Sequence, residues 1–566
     1  MGGPVRNHRL VMTAALVAAG LGLVPSTASA ADGPTKPVAQ GPAKPAPAGK
    51  SKAERAAVQT WHSPAERTVR TVQGVAGGKA AAPKAAGAGE GNPDLAISLG
   101  GASHSALGLE LNTKITSADV TLEVVVDWGD GTTEKQTVKG SAEPAFAHSY
   151  AEVGEYQVSV TLTDAANGVK AENGFMYLTP GSDFTPHAPT RLLDTRDGTG
   201  VKAGKVAARG TTRVKIAENA KIPADVRAVV LNVTVTNTTT DGHVTVFPGK
   251  GSTQPITSNL NYTAGQSVPN LVIVPVGTDG YVELFNGGWG TVDLIADVTG
   301  YFTRSSSSGY TPMAPVRFVD TRAGVGAAKG QVASRGTFST QISGLKGVPA
   351  NATAVALNVT VTNPKQAGHL SVYPGGDQPP TASSLNFAAG ETVANAVIVP
   401  VGPDGRISVF NGAWAGTDVV VDVVGHYAKD GKAAYRPFGP FRWLDTRDPS
   451  SWWPGGRLPA RGYISQWADP EARGGEAYVL NTTVTNTSEA GFLSVAPSPF
   501  PWLQNDRPDA PVPPRPDAST LNWTAGRTVP NLVQASGGEH GIINFWNQGW
   551  KDADLIVDIF GAYEAY

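Results

Sequence analysis

The segment RLLDTRDG (residues 191–198) returns as RFVDTRAG (residues 317–324) and as RWLDTRDP (residues 442–449). The central aspartates of these segments are spaced by 126 and 125 residues, which is long enough for a domain with its own hydrophobic core. The sequence therefore predicts three homologous domains, called copies 1, 2 and 3 below, at residues 185–303, 311–428 and 436–566.

Each copy contains about eight short apolar segments separated by turn residues, and none of them has a helical period. In LNVTVTN (residues 231–237), Leu231, Val233 and Val235 alternate with Asn and Thr. This alternation predicts a half-buried strand with its polar face in solvent. Regular strands of this length predict a β-sandwich or jelly-roll-like domain for each copy.

A separate all-β unit is predicted at residues 93–180. Its segments DWGDG (residues 127–131) and HSYAEVGEYQVSVTLTD (residues 148–164) resemble a PKD domain, which implies an immunoglobulin-like β-sandwich that serves as an extracellular spacer or binding module. The LDTR and LNVT segments of the three copies are similar to repeats of secreted actinobacterial proteins, which implies an extracellular location and no particular chemistry. The predicted fold class is therefore all-β, with a PKD-like sandwich followed by three β-sandwich or jelly-roll-like domains.

The first residues have the pattern of a secretory signal peptide. A basic start is followed by an apolar run at residues 10–24, too short for a membrane span, and by the small-residue site ASA at residues 28–30. Residues 1–30 are therefore predicted to be a signal peptide. Residues 31–92 are rich in Ala, Pro, Gly and Lys and are predicted to be a disordered linker, because they cannot bury enough apolar surface to offset the entropy of ordering.

The overall composition limits the classes of partner. The net charge is −2, so no basic field favours nucleic acid, and no later segment is long and apolar enough for a membrane span. Cysteine is absent, which removes disulfide and thiolate-metal sites. No cofactor or metal site is predicted, and the sequence leaves the oligomeric state open.

A second set of aspartates lies inside apolar strands, as Asp297 does in LIADVTGY. A buried carboxylate needs a partner, and the repeated arginines supply candidates. We expect the first strand of each copy to lie beside the last, joined by an Arg–Asp pair. The candidate residues are Arg191, Arg196 and Asp297 in copy 1, Arg317, Arg322 and Asp422 in copy 2, and Arg442, Arg447 and Asp558 in copy 3.

Catalysis by the Asp-Thr-Arg segments is not predicted. Aspartic proteases carry glycine where these segments carry arginine, and they pair two aspartates rather than three. A neighbouring arginine also lowers a carboxylate pKa, which works against the shared proton of a protease. No catalytic residues are assigned from the sequence.

Turns that carry Asn and Trp recur as FNGGW, FNGAW and WNQGW. An exposed indole can stack on a sugar ring, and a neighbouring amide can bind hydroxyl groups. The alternative is a tryptophan that caps the sandwich core. The candidate ligand-binding residues are Trp289, Trp414 and Trp550 with Asn286, Asn411 and Asn547, and also Trp452 and Trp453 in the tryptophan-rich copy 3.

These patterns predict a secreted, non-catalytic binding or adhesion protein of the cell surface, with a polysaccharide or cell-wall polymer as its partner. Tandem weak sites gain avidity, which favours binding over catalysis. Two alternatives stay open. One is a structural spacer without a ligand, and the other is an extracellular hydrolase whose site has no recognisable motif.

Overall fold

The computed structural model describes residues 60–72, 92–448, 456–468, 475–504 and 511–566. The predicted signal peptide, the rest of the predicted linker, Trp452 and Trp453 lie outside these residues. Apart from two short 3-10 turns, at Ala65–Arg67 and Gly538–His540, the regular structure in these ranges is β-strand. Within them, no helix has the length and apolar character needed to cross a membrane.

The first domain is a sandwich of two antiparallel sheets around a core that includes Trp128 and Tyr177. One sheet has the strand order β1-β3-β4-β7 and the other has the order β2-β9-β8-β5-β6. The strands are β1 (Thr60–Ser63), β2 (Val69–Val72), β3 (Ala96–Ser105), β4 (Gly108–Thr116), β5 (Thr121–Asp127), β6 (Thr133–Lys139), β7 (Ala145–Ser149), β8 (Glu155–Asp164) and β9 (Val169–Leu178).

Strands β1 and β2 lie inside the segment that was predicted to be disordered, so that prediction is wrong for residues 60–72. Each strand is added to the edge of one sheet, which supplies the backbone hydrogen bonds that this segment cannot make alone. Trp61 packs edge-on against Tyr177, with ring centroids 4.7 Å apart. The side chain of Ser63 donates a 2.6 Å hydrogen bond to Asn173. Long-range contacts therefore order a segment whose own composition is poor in apolar residues.

Each of the three copies has eight antiparallel strands, as predicted from the sequence. Copy 1 contains β10 (Asp183–Asp194), β11 (Thr211–Lys215), β12 (Ala228–Thr236), β13 (Gly242–Pro248), β14 (Leu260–Tyr262), β15 (Val268–Pro275), β16 (Tyr281–Asn286) and β17 (Asp293–Thr303). Copy 2 contains β18 (Gly309–Asp320), β19 (Thr337–Gln341), β20 (Ala352–Thr362), β21 (Gly368–Pro374), β22 (Leu385–Phe387), β23 (Val393–Pro400), β24 (Arg406–Asn411) and β25 (Asp418–Ala428). Copy 3 contains β26 (Ala433–Asp445), β27 (Tyr463–Trp467), β28 (Gly475–Thr485), β29 (Gly491–Pro497), β30 (Leu521–Trp523), β31 (Val529–Ser536), β32 (Ile542–Asn547) and β33 (Asp554–Ala565).

The strand order is the same in all three copies and is that of a jelly roll. One sheet follows the order first, eighth, third and sixth strand, as in β10-β17-β12-β15, and the other follows second, seventh, fourth and fifth, as in β11-β16-β13-β14. Each copy has its own apolar core between the two sheets. The all-β, multi-sandwich fold class predicted from the sequence is therefore confirmed.

A further apolar core lies between the copies, and we call it the central core. It is formed by the outward faces of the three sheets that contain the first and last strands. Seven aromatic rings from the first and last strands lie in it, with neighbouring centroids as close as 4.1 Å. These rings belong to Phe184, Phe302, Tyr310, Tyr427, Tyr435, Phe560 and Tyr563.

The prediction that the polar face of LNVTVTN lies in solvent is wrong, because that face packs against another copy. All nine residues of β12 are buried, including Asn232 and Thr234 on the face expected to be in solvent. The Asn232 side chain donates to the Ser383 carbonyl at 2.6 Å and accepts from the Asn395 amide at 3.0 Å, and both partners belong to copy 2. The polar face of the strand is therefore an interface between copies.

Equivalent asparagines join the other two pairs of copies and close a ring. Asn358 of copy 2 donates to the Ser519 carbonyl of copy 3 and accepts from Asn531. Asn481 of copy 3 donates to the Ser258 carbonyl of copy 1 at 2.7 Å and accepts from Asn270 at 3.0 Å. The three jelly rolls are thus arranged cyclically, each bound to both others.

The two ends of this ring of jelly rolls differ. The chain enters and leaves the copies at one end, where the Phe184 amide donates to the Ser308 carbonyl and the Ser182 amide donates to the Tyr435 carbonyl. The first domain contacts this same end through the Glu152 carboxylate, which pairs with Arg304 at 2.7 Å. The opposite end, called the distal end below, carries in each copy the four connections that follow the first, third, fifth and seventh strands.

Candidate functional site

The predicted Arg–Asp pairs lie where the first and last strands meet. Arg191 is the register partner of Asp297, with Nε 2.9 Å from Oδ1 and Nη2 3.2 Å from Oδ2. The remaining guanidinium nitrogen, Nη1, donates to Asp194 at 3.0 Å. Arg196 does not reach Asp297; it pairs with Asp194 at 2.7 Å.

The same arrangement recurs in the other two copies. Arg317 and Arg442 bind Asp422 and Asp558, each with Nε 2.6 Å from Oδ1. Arg322 and Arg447 bind Asp320 and Asp445, at 2.7 Å in each case. We call these four-residue groups the Arg–Asp clusters: Arg191, Asp194, Arg196 and Asp297; Arg317, Asp320, Arg322 and Asp422; Arg442, Asp445, Arg447 and Asp558.

The surroundings shift the pKa values of the two aspartates of a cluster in opposite directions. Burial raises the pKa of Asp297, against the hydrogen bond and the charge of Arg191. Burial also acts to raise the pKa of Asp194, but the hydrogen bonds and charges of Arg196 and Arg191 outweigh it and leave this pKa below its ordinary value. Because both carboxylates bind arginines of the same cluster, the cluster joins strands rather than presenting a reactive group.

The three repeated tryptophans lie at the distal end and are among the most exposed large side chains. Trp289, Trp414 and Trp550 have exposed fractions of 81%, 78% and 72%. Each lies in the turn between the seventh and eighth strands of its copy. The alternative, in which each indole caps the sandwich core, is wrong for all three.

The asparagines of these turns do not face a ligand, so their assignment as ligand-binding residues is wrong. Asn286 is fully buried, and its amide group donates to the Ala207 and Gly290 carbonyls at 2.9 and 2.8 Å. Its side-chain oxygen accepts from the Gly288 amide at 3.0 Å. Asn411 and Asn547 make equivalent bonds. These asparagines hold the shape of the turn that presents the tryptophan.

An arginine that the sequence analysis did not single out lies over each exposed indole. The guanidinium carbon is 5.7 Å from the ring centroid for Arg209 on Trp289, 5.5 Å for Arg335 on Trp414, and 4.8 Å for Arg461 on Trp550. We call each pair a Trp–Arg platform. The signal in the sequence was the Arg-Gly dipeptide that precedes the second strand of every copy.

The position of each arginine is fixed by its backbone and by side-chain hydrogen bonds to the turn that carries the tryptophan. Arg209 has a φ of 56°, and Arg335 and Arg461 have 55° and 54°, a left-handed conformation that is uncommon for residues other than glycine. The Arg209 guanidinium donates to the Gly287 carbonyl at 2.9 Å. It also lies 4.9 Å from the Phe285 centroid, so it is held between an inner ring and the exposed indole.

The neighbourhood of the platform differs between copies. His243 and His369 lie close to the platforms of copies 1 and 2; burial, and then the charge of the platform arginine, lowers the pKa of each. Copy 3 has Phe492 at this position and adds Arg515, whose guanidinium lies 5.6 Å from the Trp546 centroid. Trp546 and Trp523 are themselves buried, so copy 3 exposes less aromatic surface than its tryptophan content suggested.

No cluster of three or more His, Asp or Glu side chains able to hold a metal ion occurs in the described ranges. The Arg–Asp clusters and the Trp–Arg platforms are thus two repeated sets with different surroundings. In the first set the aspartates are buried and each arginine is paired with a carboxylate of the same cluster. The second is exposed at the end of the molecule away from the first domain.

No family model matches the sequence, and no curated protein matches it. Solved structures that match part of the chain include a SusE-like protein (11% identity, TM-score 0.12, covering 36% of this chain and 96% of that chain). A tandem CBM22 domain of Paenibacillus barcinonensis Xyn10C has 11% identity and a TM-score of 0.15, covering 43% of this chain and 98% of that chain. A triple jelly roll protein of an archaeal virus has 9% identity and a TM-score of 0.15, covering 68% of this chain and 90% of that chain.

Proposed function

We propose that this chain is a non-catalytic binding protein that holds an extracellular polysaccharide through its three Trp–Arg platforms. The observation that carries the proposal is the exposure of three equivalent indoles on turns that are otherwise rigidly hydrogen-bonded. Large aromatic side chains are normally buried, because each removes a large apolar area from water. Three exposed ones at equivalent sites favour a ligand that covers them.

The chemistry of the platform suits a sugar ring. An indole offers a flat apolar face to the C–H groups of a pyranose, and the guanidinium beside it donates hydrogen bonds to oxygens. Since Arg209 lies over part of one face of Trp289 and 81% of the residue remains exposed, the opposite face is open to a ligand. Nothing in this arrangement requires a bond to be made or broken.

The arrangement of the copies suits a polymer rather than a single small molecule. All three chain-entry ends meet at the end that contacts the first domain, so all three distal ends face away from it. The side chain of Arg527 in copy 3 donates to Thr263 in copy 1 at 2.6 Å, so the distal ends of these two copies are adjacent. Tethered sites of this kind gain avidity when one ligand molecule occupies several of them.

Retention of the full chain on a panel of immobilised polysaccharides tests the proposal. The wild-type chain is compared with variants in which one, two or three of Trp289, Trp414 and Trp550 are changed to Ala. We expect each single change to weaken retention and the triple change to abolish it, with unchanged melting temperatures because the indoles are exposed. Equal retention of wild type and triple variant would contradict the proposal, and no retention on any polysaccharide would favour the structural-spacer alternative.

A further inference from the structure

The three platform arginines differ from most arginines in the described part of the chain in having no carboxylate partner. Within the described residues, eleven arginines form ion pairs at 4.0 Å or less, and Arg209, Arg335 and Arg461 are not among them. Each of the three makes its side-chain hydrogen bonds to neutral groups, as Arg335 does with the Gly412 carbonyl at 3.1 Å. Their positive charges are therefore not neutralised inside the protein.

This charge is placed beside the exposed indole in every copy. The arginine backbone lies in the left-handed region, a conformation that costs free energy for a side chain with a Cβ and that here directs the guanidinium towards the turn. All three copies have arginine at this position, whereas the neighbouring position is histidine in copies 1 and 2 and Phe492 in copy 3. The pair of Trp and unneutralised Arg is thus the part of the distal end that all three copies share.

We propose that the ligand of the Trp–Arg platforms is an acidic polysaccharide, in which a sugar ring stacks on the indole and an anionic group of the polymer pairs with the guanidinium. This inference rests on the proposed function and narrows its ligand class. A charge-assisted hydrogen bond from Arg is about twice as strong as a neutral one, so it discriminates between a charged sugar and its neutral counterpart. The anionic group can be a carboxylate or a sulfate ester, since both present oxygens to the same guanidinium nitrogens.

Copy 3 provides more positive charge at its platform than the other copies. Lys551 directly follows Trp550, at positions where copies 1 and 2 have Gly290 and Ala415. Arg515 donates a 2.7 Å hydrogen bond to the backbone carbonyl of Arg461, which brings a second guanidinium to the same site. Copies 1 and 3 each also have a carboxylate at the distal end: Asp241 accepts from the Ala264 amide at 3.0 Å, and Asp552 accepts from the Ala460 amide at 2.7 Å. Arg515 and Lys551 still leave copy 3 with the larger positive charge. Copy 3 is therefore expected to contribute most to binding of an anionic polymer.

The test uses polymers that differ only in charge. Affinity of the full chain is measured for polygalacturonate and for its fully methyl-esterified form, and for a sulfated galactan and its desulfated form. We expect at least one acidic member to bind about tenfold or more tightly than its neutral form, with a preference that decreases as salt is added. A preference for the carboxylate or for the sulfate pair identifies the anionic group.

Variants show whether the platform arginines cause this preference. Arg335→Gln is expected to weaken binding of the acidic polymer and leave binding of the neutral form unchanged. Arg406→Gln is the matched control in the same copy: Arg406 is exposed, begins strand β24 away from the distal end, and carries the same charge. An equal effect of the two changes would show that only net charge matters and would overturn the inference.

The remaining outcomes separate the inference from the function on which it rests. If neutral polymers bind as tightly as acidic ones and the tryptophans are still required, the acidic-ligand inference is overturned and the proposed function stands. If no acidic or neutral polymer binds, both are overturned.

Discussion

Arg317 and Asp422 face each other across the first and last strands of copy 2, with Nε 2.6 Å from Oδ1 and Nη2 3.3 Å from Oδ2. The carboxylate is almost fully buried, whereas about a third of the arginine side chain is exposed. This pair joins the first and last strands of the jelly roll near the end at which the first strand finishes and the last strand begins. Its counterparts join the same strands in the other two copies.

Replacing Asp422 with Ala is expected to lower the free energy of unfolding by about 3–5 kcal/mol, because the buried side of Arg317 would lose its partner. Arg322→Gln is the control, since Arg322 is about half exposed and an ion pair at such a site contributes less. Urea unfolding of both variants measures the difference. Equal losses would show that the Arg317–Asp422 pair has no special role in closing the sheet.

Asn358 joins copies 2 and 3 and is buried between them. Changing it to Ala is expected to cost about 1–3 kcal/mol, because the Asn531 amide and the Ser519 carbonyl would lose a buried partner. Asn351, which is exposed and donates to Asp430 just after copy 2, is the matched control and should change stability far less when replaced by Ala. Calorimetry of the full chain gives both values; a negligible effect of Asn358→Ala would mean that the ring of copies is held without these bonds.

Alkaline pH should weaken the central core. Burial raises the pKa of Tyr310, Tyr427, Tyr435 and Tyr563, so these side chains keep their protons in the folded state at pH values where an unfolded tyrosine, with a pKa of about 10, loses them. The folded state then binds more protons than the unfolded state, and stability falls as pH rises above about 10. Below that pH the four groups are neutral in both states and cause no loss.

Urea midpoints measured between about pH 8 and pH 11 test this prediction. A variant that gives copies 2 and 3 the residues of copy 1, Tyr427→Phe, Tyr563→Phe and Gln534→Ile, removes the buried hydrogen bonds among these three side chains and two of the four ionising groups. Its stability should fall less steeply with pH than that of the wild type. Identical pH profiles would assign the alkaline loss to other groups.

Replacing a turn asparagine should lower stability, whereas replacing an exposed tryptophan should weaken ligand binding. Asn411→Ala is expected to lower the free energy of unfolding by about 1–3 kcal/mol, because the Ala415 carbonyl and the Ala413 amide would lose a buried partner. Trp414→Ala should leave stability nearly unchanged and weaken polysaccharide retention. If Asn411→Ala weakened retention with no loss of stability, the asparagine would be a ligand contact after all.

Much of the fold could be predicted because its signals are local. The eight apolar segments of each copy and the turns between them indicate a jelly roll without reference to other copies. The same local reasoning also predicted correctly that Asp297, inside an apolar strand, needs a basic partner on the first strand. Strand alternation could not show that Asn232 is buried, because the surface that covers it belongs to another copy.

The candidate site could be predicted only in part from the sequence, for a similar reason. The spacing of Trp289, Trp414 and Trp550 marked the turns, but Asn286 could be read either as a ligand contact or as a turn residue until its partners were known. Arg209 lies far from Trp289 along the chain, and only the jelly-roll topology brings them together at the distal end. The assignment of residues 93–180 as a PKD-like domain stays a prediction.

Binding through the platforms requires that the ligand cover the three exposed indoles, and hydroxyl-radical footprinting measures this coverage. In the free chain, Trp289, Trp414 and Trp550 should be oxidised faster than the buried Trp128, Trp523 and Trp546. With a retained polysaccharide present, oxidation of the three exposed tryptophans is predicted to slow severalfold while that of the buried ones stays the same. Unchanged oxidation at all three while the polysaccharide is bound would show that the ligand does not bind through the platforms.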